Sequence, residues 1–140
     1  MEYKKFGDTY VLRVAIGEDI KEQLMVLAEE QSISFATITG IGACDEVEIS
    51  IFYPERKEYE RKTICEELEL VSLMGNISLN EKRPHVHVHA TFSNGYDTLY
   101  AGHLDRGVVC ATAELFIQTK AEELHRKPCD KTGLMILDLS

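Results

Sequence analysis

Apolar and polar residues alternate over much of this chain, and the points where the period changes mark its elements. Thr9 to Ile16 is rich in β-branched and aromatic residues and predicts a strand ended by Gly17. Ile20, Leu24, Leu27 and Ala28 then recur at helical spacing. Asp19, three residues before Glu22, has the spacing of an N-cap followed by an acidic third position, so an amphipathic helix is expected over residues 19–31. No other stretch supports a helix. Phe35 to Thr39 reads as a strand running into Gly40-Ile41-Gly42-Ala43, where the two glycines predict a tight turn or a bulge. Val47, Ile49, Ile51 and Tyr53 mark a half-buried strand, Pro54 to Lys57 a turn, and residues 59–64 its hairpin partner. Leu68 to Leu73 is a longer strand whose apolar phase shifts between Leu70 and Val71, continued through residues 75–78.

The second half opens with a strand in which Val86, Val88 and Ala90 share one face. Asn94-Gly95 predicts a hairpin, because both residues accept positive φ, and residues 98–103 should return antiparallel beside the first strand. Asp105-Arg106-Gly107 predicts another turn, and residues 108–118 a last long strand. Residues 119–132 are polar and irregular, and 133–139 read as a short final strand. One helix among hairpin-connected strands implies an α+β fold, a mainly antiparallel β-sheet with the helix packed on one face. The expected organisation is one domain over residues 1–140, with a core at about 8–118 and a C-terminal extension at 119–140.

Composition narrows the setting. The 140 residues are 44% hydrophobic, enough to fill one core. No run approaches the ~18 apolar residues of a membrane helix, and the first residues lack a signal-peptide core, so a cytoplasmic protein is expected. Cys44, Cys65, Cys110 and Cys129 are scattered, with no C-x-x-C pair, and read as reduced thiols. The net charge of −9 argues against duplex DNA as a partner, since affinity for the phosphate backbone comes from Lys and Arg. The basic residues are dispersed in short pairs rather than gathered into a stripe.

The candidate chemistry lies on the strand after Pro84. His85, His87 and His89 share the face opposite Val86 and Val88, and His103 follows on the neighbouring strand. Neutral imidazole is the commonest protein metal ligand, and three of them with one position left open is the pattern of a catalytic zinc site. The competing reading is a half-exposed strand carrying surface histidines. A two-residue turn at Asn94-Gly95 would put His103 nearer His85 than His89; a longer loop or a bulge would reverse that order. Glu114 is a lone acid in the last long strand, either solvated or a proton acceptor beside the histidines.

Taken together, several motifs resemble one family. Gly-Glu-Asp-Ile at the helix start is followed by Thr-Gly-Ile-Gly-Ala, Phe-Tyr-Pro-Glu-Arg-Lys-Glu-Tyr, Glu-Leu-Val-Ser-Leu-Met-Gly-Asn-Ile-Ser, Pro-x-x-His-x-His and Gly-His-Leu. In this order they resemble the plants-and-prokaryotes-conserved (PPC) domain over roughly residues 8–118. The resemblance implies an antiparallel-sheet fold with one main helix, a homotrimer and contacts with protein partners. The family pattern falls on Pro84, His87 and His89, with His103 in Gly-His-Leu, and so implies a divalent-metal site at His87, His89 and His103, zinc being the first candidate. His85 stands where the family usually has an apolar residue. Plant members carry a basic AT-hook for DNA, and this chain has no such element, so a DNA-binding role would follow from the family resemblance alone. The expected function is a small binding or regulatory module with a histidine-held metal. The alternative is a metal-dependent enzyme using water on a three-histidine ion.

Overall fold

The computed structural model describes residues 1–140. In chain order its elements are β1 (Glu2–Phe6), β2 (Thr9–Val14), α1 (Ile20–Glu30), β3 (Ala36–Tyr53), β4 (Glu58–Ile64), β5 (Leu68–Asn80), β6 (Arg83–Ser93), β7 (Leu99–Thr119), β8 (Arg126–Pro128) and β9 (Met135–Leu137). All pairings between named strands are antiparallel. The fold is α+β, a seven-stranded sheet in the order β1-β2-β7-β6-β5-β3-β4 with one helix. β3 also pairs with β7, so β7, β6, β5 and β3 form a closed circuit of backbone hydrogen bonding.

The helix forms as its spacing predicts. Asp19 caps it, its Oδ1 accepting from the backbone N–H groups of Lys21 (2.7 Å) and Glu22 (3.1 Å). Ile20, Leu24, Leu27 and Ala28 are buried on its inner side. They join one core with Leu12 and Val14 of β2, Ile38 and Val47 of β3, Val86 and Val88 of β6, and Leu115 and Ile117 of β7. Burying each large aliphatic side chain is worth about 1.5–3 kcal/mol, so this shared core is what holds the helix to the sheet. No helix is long and apolar enough to cross a membrane.

One stated alternative is settled, two expectations are corrected, and one strand is new. Gly40–Gly42 is not a tight turn: β3 runs straight through it for 18 residues, with a register shift that makes it a bulge. Asp105-Arg106-Gly107 does not turn the chain either. β7 continues for 21 residues, and the register with β3 slips between Glu48 and Ile49, opposite Asp105. In both places a long ladder with distant partners outweighs local turn chemistry, and the irregularity survives as a bulge. β1 carries no alternation at all, its five residues all being exposed; it forms because Gly7, at φ +61°, turns it back onto β2. Residues 119–132 are not wholly irregular, since β8 pairs with β9 in a separate two-stranded sheet.

Candidate metal centre

β6 sets the histidines out by parity. Val86, Val88 and Ala90 are buried in the core, and His85, His87 and His89 point the other way. Across the hairpin, Ser93 pairs with Leu99 and His89 pairs with His103. The connection therefore spans residues 94–98. Asn94 organises it, its Oδ1 accepting from the N–H groups of Tyr96, Asp97 and Thr98 at 3.2–3.3 Å. Asn94 thus acts as the cap of a longer loop rather than as half of a two-residue turn. This corrects the two-residue register, and His103 is the register partner of His89 rather than of a residue near His85.

The ring centroids of His87 and His89 are 5.2 Å apart, those of His87 and His103 5.2 Å, and those of His89 and His103 5.6 Å. One nitrogen from each of these three side chains lies within 4.8 Å of the other two. A tetrahedral zinc with ligands at ~2.0–2.1 Å needs nitrogens about 3.4 Å apart. His85 is outside this group, its ring 6.5 Å from that of His87.

The strands alongside complete the surroundings. Two glycines let them come close: a Cβ on Gly75 would stand 2.0 Å from the carbonyl oxygen of His87, and one on Gly102 2.8 Å from that of Ser50. Ser50 on β3 is the register partner of His103, and Asn76 on β5 that of His87. Asp105 lies two residues beyond His103 on β7. Its Oδ1 is 3.9 Å from His103 Nε2, and its Oδ2 is 3.5 Å from Arg61 Nε. The Tyr59 ring lies 5.6 Å from that of His103, tilted by 47°.

The electrostatics favour neutral imidazoles. Burial, helped by the neighbouring His103 and Arg126, lowers the His87 pKa to about 4. Burial also lowers that of His85, with Arg126 and Lys21 adding to the effect. It lowers that of His103 too, where Lys21 assists and Asp105 opposes. These groups are unprotonated at neutral pH, the form that binds metal. The structure also leaves His103 Nδ1 buried without a hydrogen-bond partner. A buried polar nitrogen of this kind normally has one, and a cation held with His87 and His89 fits the want. The donor set, three imidazole nitrogens, suits zinc or another borderline divalent ion.

Asp105 is the residue that sequence reasoning missed. Its signal was parity with His103, hidden by the assumption of a turn at residues 105–107. Arg126 was missed as well: it lines the cavity of about 680 Å³ beside the histidines, together with residues 133–137. Glu114 is not beside the histidines. It is exposed, is registered with Arg13 and Ile41, and borders a separate shallow depression with Val71.

Comparison with known proteins adds to this geometry. The family model described as the Plants and Prokaryotes Conserved (PCC) domain matches residues 1–120. A solved protein from Bacteroides thetaiotaomicron, provisionally described as DNA-binding, is 31% identical with a TM-score of 0.95, covering 98% of this chain and 96% of its own. A solved protein from Archaeoglobus fulgidus, described as metal-containing, is 30% identical with a TM-score of 0.86, covering 98% of each chain. A bifunctional protein GlmU from Synechococcus is 25% identical over 133 residues, 93% of this chain. The chain spans about a fifth of the length of the curated relatives it matches.

Proposed function

Since this chain belongs to the Plants and Prokaryotes Conserved domain family, we propose that it is a homotrimeric, cytoplasmic binding or regulatory module in which His87, His89 and His103 hold one divalent metal ion, zinc first. The observation that carries the reading is the convergence of three imidazole nitrogens within 4.8 Å, next to the unpartnered Nδ1 of His103. The description of the Archaeoglobus fulgidus protein as metal-containing supports it. When bound, such an ion would supply Lewis acidity and lower the pKa of coordinated water toward ~7. The chain's own residues do the rest. Asp105 stands where it can orient the His103 ring. Tyr59 lies beside that ring.

A metal-dependent enzyme is the second reading, and the cavity adjoining the histidines favours it, because a catalytic ion needs room for a substrate beside it. Duplex DNA is disfavoured. The net charge is −9, and Arg13, Arg56, Arg61, Arg106 and Lys127 are each paired with a carboxylate. The deciding experiment is metal analysis of protein purified without a polyhistidine tag. Wild type should carry or take up about one zinc per chain, and the His87→Ala/His89→Ala variant about none. Equal, negligible metal in both would overturn the proposal.

A further inference from the structure

The cavity beside the histidine cluster contains an unbalanced charge. Arg126 is half-buried at the start of β8, and all three guanidinium nitrogens are held by neutral acceptors. Nε donates to Ser78 Oγ (2.7 Å), Nη1 to the Met135 carbonyl (2.7 Å) and Nη2 to Asn76 Oδ1 (3.0 Å). No carboxylate lies within ion-pairing distance of it, although the chain has 24 acids against 15 bases. A partly desolvated cation without a counter-ion is costly, and proteins seldom keep one without a use. The other ionisable groups lining the cavity are Tyr59, the histidines, and Arg61 and Asp105, which lie against each other, Arg61 also reaching Glu48. Arg126 is therefore the one cation of the lining without a carboxylate beside it.

Beside Arg126 the lining turns apolar, with a wall of Leu134, Met135, Ile136 and Leu137, the last of these the register partner of Arg126 in the β8–β9 pair. Arg126 itself braces that wall, through Met135, against the Asn76–Ser78 segment of β5. The wall lies beyond residue 120, where the family match ends. The cavity's volume of about 680 Å³ lies within the range of small-molecule sites.

We propose that this cavity binds a small organic anion bearing a short aliphatic chain, its anionic oxygens turned toward Arg126 and the histidine cluster and its chain lying on residues 134–137. The inference deepens the metal-module reading and rests on it for the role of the histidines, but the charge of Arg126 acts with or without an ion.

The test is calorimetric titration of the full chain, metal-stripped and zinc-loaded, with hexanoate, hexanamide, hexyl phosphate and acetate. Hexanoate should bind both forms, more tightly with zinc present, and at least tenfold more tightly than its neutral isostere hexanamide or the tail-less acetate. Hexyl phosphate tells the two anion classes apart, and tighter binding than hexanoate would make the ligand an organic phosphate. Arg126→Gln should weaken hexanoate at least tenfold. Because that change also loosens the wall, Leu134→Ser/Ile136→Ser is the companion variant: it should weaken hexanoate severalfold while leaving acetate unchanged. If zinc binds but hexanoate and hexyl phosphate bind no better than hexanamide, the inference fails and the metal reading stands. If hexanoate binds and zinc does not, the metal reading fails and the inference survives.

Discussion

His87 concentrates the chemistry of the site in one side chain. Burial and the positive charges around it hold its pKa near 4 in the fold, against about 6.5 for an exposed imidazole. Between those values the unfolded chain binds more protons than the folded one. The stabilisation is therefore complete above about pH 6.5 and is lost as pH falls through 4. His85 and His103 are lowered in the same direction. The urea midpoint of metal-free protein should thus drop between pH 6.5 and 5, above the range where most carboxylates titrate, and His87→Gln should make that drop shallower. Identical slopes for wild type and variant would show that His87 is not desolvated as described. Zinc should steepen the same dependence, because protons compete with the ion for the same nitrogens.

At the scale of elements, the site depends on how closely strands approach. Gly75 faces the His87 backbone, and there is no room for a side chain: the Cβ of an alanine would lie 2.7 Å from the Cα of Val88 as well as against the His87 carbonyl. Gly75→Ala must push β5 and β6 apart. It should cost about 1–3 kcal/mol in chemical denaturation, the usual penalty for overpacking, and weaken zinc binding with it. Unchanged stability would mean that the strands yield freely there. Much of this layer was legible in the sequence. The parity of Val86 and Val88 put three histidines on one face, and the Asp19 cap with Ile20, Leu24 and Leu27 marked the helix. What stayed hidden were features decided by distant partners. Residues 105–107 look like a turn until β3 pairs alongside them, β1 has no pattern of its own, and the identity of the third histidine hung on a loop whose length Asn94 sets by side-chain hydrogen bonds.

For the whole molecule, the side of the sheet bearing the histidines is incompletely covered. Phe116, Thr39, Met74, His89 and His103 are successive register partners across β7, β3, β5, β6 and back to β7. Met74 is 63% exposed and Phe116 49%, with Ile41 and Val71 also exposed. Apolar exposure grouped in this way is characteristic of an interface, which supports the trimer proposed above. Light scattering should give three times the chain mass of 15.9 kDa for wild type, and Phe116→Glu should shift it toward one chain. A wild type that is monomeric at every concentration would rule out that assembly. The row ends at His89 and His103, so a partner seated on it would sit at the margin of the histidine cluster.

The sheet order has a further consequence, one of time rather than space. β2 comes near the start of the chain, yet its partner is the far end of β7: Thr9 is registered with Gln118 and Val14 with Ala113. The histidine hairpin, by contrast, joins residues only six to fourteen apart. During synthesis from the N-terminus, β1 and β2 must wait as an isolated two-stranded ribbon, a form with little stability of its own. The edge of β2 finds its partner only once nearly all of the chain has been made.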